Sequence, residues 1–157
     1  MEGPSIITTE PVTVAYISMR GPYAQTPEGF GRLYAWIGQH GLEPVGMPAA
    51  VYLTIPSETS ESEALWELWA PIAGAAGEAP PDASGIGIRQ VPPTLAASAM
   101  HKGPYETVEP TYHMLWRWIG ENGYAPAGPP MERYYSDPAE VPPEEYLTEI
   151  VMPVRKL

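Results

Sequence analysis

A long internal repeat constrains this chain more than any other feature. Arg20–Gly41 reads RGPYAQTPEGFGRLYAWIGQHG, and Lys102–Gly123 reads KGPYETVEPTYHMLWRWIGENG. Sliding the 157-residue sequence on itself by 82 positions, without a gap, lays residues 1–75 over 83–157, and 22 of those 75 pairs are identical. Chance would match roughly one pair in sixteen at ordinary residue usage. Many matches are glycines and prolines, among them Gly21/Gly103, Pro22/Pro104, Gly41/Gly123, Gly46/Gly128 and Pro71/Pro153. Such residues sit where the chain must turn, so the backbone path itself is repeated.

Each copy reads as strand–helix–strand–strand. Val12–Ser18 is β-branched and bounded by Pro and Gly, a strand pattern. Thr26-Pro27 predicts a helix start, with Thr as the cap and Pro in the first turn. Gly41 and Gly123 stand where left-handed C-caps belong. Pro48–Thr54 predicts a second strand. Leu65–Ile72 (LWELWAPI) suits a strand or a short helix, and its partner Leu147–Val154 (LTEIVMPV) settles it as a strand. Pro71 and Pro153 predict that this strand ends there or becomes an edge. The expected fold is a single α+β domain over 1–157, with an antiparallel sheet, two main helices flanking a groove and pseudo-two-fold symmetry. Repeat 1 covers about 1–75, a linker about 73–84, and repeat 2 about 83–157.

Composition narrows the function. The formal net charge of −11 argues against a nucleic-acid partner, which needs a basic stripe. A negative field does suit cationic ligands. There is no cysteine, so no thiolate nucleophile or zinc–thiolate site. His40, His101 and His113 have no metal spacing, and no metal or other cofactor is expected. No apolar run approaches the roughly 20 residues of a membrane span, and the N-terminus has no signal pattern, so no membrane partner is expected and the default location is the cytoplasm.

The helices carry more aromatic surface than a sheet-covering stripe requires. In the second, Tyr112, Leu115, Trp116 and Ile119 form the expected core stripe, widened by Met114 and Trp118. In the first, Phe30, Leu33, Tyr34 and Ile37 form the stripe, with Trp36 on its flank. The surplus face suits the opposite helix, a subunit interface or a ligand groove. A second oddity lies in the third strands, where Glu67 and Glu149 interrupt apolar runs. Strand alternation puts Glu67 on one face with Trp69, and Glu149 on one face with Val151. An acid among apolar neighbours is either solvated or awaits a positive charge.

At this point the sequence resembles the GyrI-like small-molecule-binding domains. The resemblance rests on Gly103-Pro104-Tyr105 after the first strand, the Leu115-x-x-Trp118-Ile119 helix ending in Gly, the Pro130-x-x-x-Tyr134 strand, the Ser136-Asp137-Pro138 turn and the terminal LTEIVMPV strand. It spans nearly the whole chain, and the duplication is itself a trait of the family. The chain resembles the stand-alone members and those that serve as multidrug-sensing effector domains. The resemblance implies a lipophilic, often cationic or planar aromatic ligand, sandwiched by aromatic side chains in a groove and met by an acid in the last strand, here Glu149.

Candidate ligand-binding residues are therefore Glu149, Glu67, Tyr34, Trp36, Trp69, Tyr105, Tyr112, Trp116 and Trp118. Cation–π contacts contribute about 0.5–2 kcal/mol each. An alternative is a cofactor-independent hydrolase of strained electrophiles, with Glu149 as its acid–base group and Tyr105 or Tyr112 beside it. A third reading is a tetrapyrrole carrier with His101 or His113 as ligand, against which the negative charge weighs, because porphyrin propionates are anionic.

Overall fold

A computed structural model describes residues 3–54, 59–137 and 139–157. The secondary structure is α+β. The strands are β1 (Ser5–Thr8), β2 (Val12–Arg20), β3 (Glu43–Pro44), β4 (Ala49–Tyr52), β5 (Leu65–Ala73), β6 (Ile86–Val91), β7 (Leu95–Lys102), β8 (Tyr124–Pro126), β9 (Met131–Tyr134) and β10 (Leu147–Lys156). The two main helices are α1 (Thr26–Gln39) and α2 (Glu109–Glu121). Short 3₁₀ turns precede both helices and both long last strands.

The chain folds as two compact units, a contiguous one of residues 11–92 and a composite one of residues 1–10 with 93–157. In the contiguous unit the antiparallel order is β4-β5-β2-β6, with β3 also on β5. In the composite unit it is β9-β10-β7-β1, with β8 also on β10. Every element has its counterpart 82 residues away, including Leu65–Ala73, a strand like its partner. The sequence reading missed the edge pair β1 and β6, which are short; β1 is half-exposed, and β6 is buried only at Ile86 and Gly87. Each completes the sheet built by the other repeat: β1 pairs with β7, and β6 with β2.

The prolines of the last strands need a different explanation from the one expected. β5 continues through Pro71 and β10 through Pro153. What changes there is the neighbour. β4 leaves β5 at Trp69 and β3 takes over at Ile72, while the Pro71 carbonyl still accepts from the Val45 amide at 2.8 Å. The same exchange, β9 for β8, brackets Pro153, whose carbonyl accepts from Ala127 at 2.8 Å. The missing N–H of proline falls in the gap between two partners, where no ladder bond is lost.

The helix ends follow the glycines. Gly41 (φ 68°) and Gly123 (φ 82°) are left-handed. At α1 the Gly41 amide donates to Gly38 and the Leu42 amide to Ile37, the paired bonds of a Schellman cap. The helix starts differ from expectation. Thr26 is the first residue of α1, not its cap, and no side chain caps either helix. The 3₁₀ turn Tyr23–Gln25 runs straight into α1, so its carbonyls serve the first amides.

One face of each sheet carries its helix. Under α2, the buried cluster is Ala97, Ala99, Leu115, Ile119, Ile150, Met152 and Val154. In the contiguous unit, Leu33 and Ile37 of α1 and Trp66, Leu68 and Ala70 of β5 have no exposed surface. The alternation of β5, exposed to half-buried at 65, 67, 69 and 71 and buried at 66, 68, 70 and 72, marks the two faces.

Candidate functional site

Strand alternation separates the two acids of interest in the composite unit. Ile150 and Met152 pack under α2, so Glu149 points to the opposite face. There it is buried, accepting from Ser98 Oγ at 2.6 Å and Tyr135 Oη at 2.5 Å, with the Arg133 guanidinium at 3.4 Å. Burial, and after it the bond to Glu149, raises the Tyr135 pKa. This corrects the expected arrangement. Glu149 is not beside the aromatic residues of α2, and neither Tyr105 nor Tyr112 is its hydroxyl partner; Tyr135 is.

The acid that meets Tyr112 is Glu132 of β9, which the sequence reading passed over. It is opposite Ile150 in the β9–β10 register and shares the helix-side face. Glu132 is buried. Its Oε2 accepts from the Tyr112 hydroxyl of α2 at 2.6 Å, and its Oε1 from the Tyr134 hydroxyl at 3.1 Å. Tyr105, in the 3₁₀ turn before α2, stands edge-on to Tyr134 at 5.5 Å and stacks on Tyr146 at 4.9 Å. Four tyrosine rings thus gather around or next to one carboxylate. Tyr105 is 39% exposed, so the cluster reaches solvent. Burial, then Tyr146 and Glu132, push the Tyr105 pKa up, which keeps its hydroxyl a donor at neutral pH. On the same face, the fully buried Thr148 Oγ1 has no hydrogen-bond partner. Two sequence signals pointed here: the Glu132-x-Tyr134 spacing mirrors Glu67-x-Trp69, and Ala50 is the counterpart of Glu132.

The contiguous unit treats its acid differently. Glu67 accepts from Trp69 Nε1 at 2.9 Å, as their shared face predicted. It also pairs with Arg89 of β6, NH1–Oε1 at 2.6 Å and NH2–Oε2 at 3.4 Å. The guanidinium carbon lies 4.0 Å above the centre of the Tyr16 ring and 5.9 Å from that of Trp69. On the helix side, Tyr23, Tyr52 and Trp66 pack ring to ring, and Tyr23 Oη and Trp66 Nε1 are buried without partners.

The remaining candidates do not converge. Trp116 is 42% exposed and is not part of the core stripe, where Leu115 and Ile119 suffice. Trp118 packs against the edge of the core cluster and lines a shallow depression on α2 with Glu109, His113, Met114 and Arg117. Trp36 is buried, not flanking, because the presumed linker covers it: its Nε1 donates to Asp82 Oδ2 at 2.7 Å. Ser84, then Trp36, hold the Asp82 pKa down to about 2. Arg32 of α1 also donates to the Ser84 carbonyl at 2.9 Å. Tyr34 is half-buried, and burial raises its pKa. His101 is engaged through Nδ1 with Thr111 Oγ1 (3.0 Å) and through Nε2 with the Pro104 carbonyl (3.1 Å). That network assigns the proton to Nε2 and occupies the Nδ1 lone pair, so His101 does not present a free nitrogen to a tetrapyrrole iron. His113 is on the surface, 3.5 Å from Glu109. In the expected Ser136-Asp137-Pro138 turn, Asp137 Oδ1 accepts from the Ala139 amide at 2.8 Å; Pro138 lies outside the described residues. Among the described residues, no helix is long and apolar enough to cross a membrane.

Known proteins share this architecture. The chain is 33% identical over 147 residues to a DNA gyrase inhibitor of Edwardsiella piscicida, covering 89% of this chain and 90% of that protein. The fold matches the crystal structure of the EcmrR C-terminal domain with a TM-score of 0.78 at 22% identity, covering 98% of both chains. In an EcmrR–DNA complex the chain spans 57% of the matched subunit. SAV2435, solved bound to tetraphenylphosphonium, is more distant: TM-score 0.57, 13% identity, 99% of this chain and 94% of that one. The sequence profile described as GyrI-like small molecule binding domain matches residues 3–155, and the chain belongs to that family.

Proposed function

We propose that this protein binds lipophilic cations and planar aromatic compounds, sequestering them as a multidrug- or toxin-binding domain, with Glu132 as the acid that meets the ligand's charge. The observation that carries this reading is the buried Glu132 carboxylate, held by two tyrosine hydroxyls inside a tyrosine cluster that opens at Tyr105. The hydroxyls orient the carboxylate, and the ring faces supply the negative side of an aromatic quadrupole to a cation. The net charge of −11 adds a favourable long-range field. The tetraphenylphosphonium bound by SAV2435 is a ligand of this class.

The test compares Glu132→Gln with Glu149→Gln, using tetraphenylphosphonium and the neutral triphenylphosphine oxide as ligands. Quenching of tryptophan fluorescence reports binding. Glu132→Gln should weaken the cation by about ten- to a hundredfold, or about 1.4–3 kcal/mol, and change the neutral ligand little. Glu149→Gln should have the smaller effect, because its carboxylate faces away from α2. Equal losses for both ligands in Glu132→Gln would make Glu132 a structural acid. A larger loss of the cation in Glu149→Gln would return the role to the last strand. Mass spectrometry of the recovered ligand separates binding from turnover.

A further inference from the structure

The Arg89 side chain sits on its neighbours as a bound ligand would. Its planar guanidinium lies over the Tyr16 ring at 4.0 Å, pairs through two nitrogens with Glu67, and has Trp69 as a second wall. Trp69 in turn donates to the same carboxylate and fixes its orientation. One acid, two aromatic rings and a planar cation make a complete recognition site, with its occupant supplied by the adjacent strand β6. In the repeat the equivalent acid, Glu149, takes its guanidinium from Arg133 of β9, so the scaffold does not fix the strand that supplies the occupant. The position equivalent to Arg89 is Ile7, and that equivalent to Tyr16 is Ser98. The Arg89 side chain is 36% exposed, against 13% for Glu67, so the cation can be reached from solvent while the acid beneath it stays covered.

We propose that Glu67, Tyr16 and Trp69 form a second cation site, specific for small planar cations of the guanidinium class, with Arg89 as its tethered resident ligand. An outside cation must displace Arg89, whose tether keeps it at an effective concentration in the millimolar range. The native site is therefore weak, and it opens when Arg89 moves away.

Arg89→Ala tests this directly, with methylguanidinium as the probe at low millimolar concentration and methylammonium at equal ionic strength as the control. Trp69 fluorescence and the thermal midpoint are read together. Arg89→Ala should bind methylguanidinium saturably, at least about tenfold more tightly than the wild type, and should be stabilised by it. Methylammonium, which is not planar, should do neither. Adding Glu67→Gln to Arg89→Ala should abolish the gain, whereas adding Glu132→Gln should leave it intact, which separates this site from the tyrosine cluster. If Arg89→Ala does not fold, Arg89→Gln, which keeps most of the stem, takes its place. A folded variant that binds methylguanidinium no better than the wild type, or whose gain survives Glu67→Gln, would overturn the proposal.

Discussion

The two units share one backbone plan and spend their polar residues in opposite ways. In the contiguous unit the strand acid is matched by a cation from the same unit, Arg89, and the helix-side face is an aromatic pack of Tyr23, Tyr52 and Trp66. In the composite unit Glu149 is held mainly by hydroxyls, and the helix-side face has gained a carboxylate, Glu132, where its counterpart has Ala50. Trp66 is replaced by Thr148, and Trp36, sealed by Asp82, by Trp118 on the surface depression. Half of the unchanged pairs are glycines and prolines; the others include the helix core pairs Leu33/Leu115 and Ile37/Ile119, and also Tyr23/Tyr105, Tyr52/Tyr134 and Glu67/Glu149. Duplication thus preserved what bends and packs the chain together with the strand acid and two tyrosines, and the residues that surround them diverged: Arg89 against Ile7, Tyr16 against Ser98, Ala50 against Glu132 and Trp66 against Thr148.

The comparison is broken most severely at Trp66. Trp66→Ala should cost about 3–5 kcal/mol in urea unfolding, since the side chain is fully buried and leaves a cavity. At the equivalent position, Thr148→Val should stay within about 1 kcal/mol of the wild type, on the stabilising side, because it removes a hydroxyl that has no partner. Similar losses at both positions would mean that the two helix-side faces are packed alike.

A smaller effect sharpens the contrast between the strand acids. Tyr135→Phe deletes a donor to Glu149 and should cost about 1 kcal/mol, the half-exposed ring limiting the loss. The phenol pKa is raised above its ordinary 10.0, so its contribution is complete below pH 10 and is lost as pH rises through the raised value. The stability difference between Tyr135→Phe and the wild type should therefore narrow only above pH 10. A difference that vanishes by pH 9 would assign the bond no weight.

The smallest expected effect concerns the seal on Trp36. The Asp82 pKa is lowered from 3.8 to about 2, so its bonds to Ser84 and Trp36 are complete above about pH 4 and are lost as pH falls through about 2. Trp36 emission should change over that interval, and the change should be absent in Asp82→Asn. An acid transition of the same size in the variant would show that the loop does not depend on the Asp82 charge.

Much of the fold was legible because repetition resolves ambiguity: LWELWAPI alone reads two ways, and LTEIVMPV decides between them. The left-handed Gly41 and Gly123 were legible for the same reason. The edge strands β1 and β6 were not, since four to six residues carry little periodic signal and their pairing depends on the other repeat. The sequence reading sets Tyr105 and Tyr112 beside Glu149, whereas Tyr112 donates to Glu132 and Tyr105 packs edge-on against Tyr134. Alternation places Glu149 and Ile150 on opposite faces, and which face meets the helix is a tertiary fact that one strand does not state. The segment read as a linker has small residues and no large apolar anchor, and its attachments are long-range or backbone ones that composition does not signal: Asp82 to Trp36, 46 residues away, and the Ala79–Ile88 bridge.

The crossing of β1 and β6 has a consequence for the order in which the molecule can be assembled. A chain made from its N-terminus holds every strand of the contiguous unit once Val91 has appeared, and that unit can close at once. β1, made before that unit, has to wait, because its partner strand starts only at Leu95. The β1 residues are thus among the last to find their place, and the composite unit bears the higher loop-closure cost of joining chain segments far apart in sequence. The unit that holds the Glu132 cluster is completed only when β1 has found β7, across the whole of the contiguous unit.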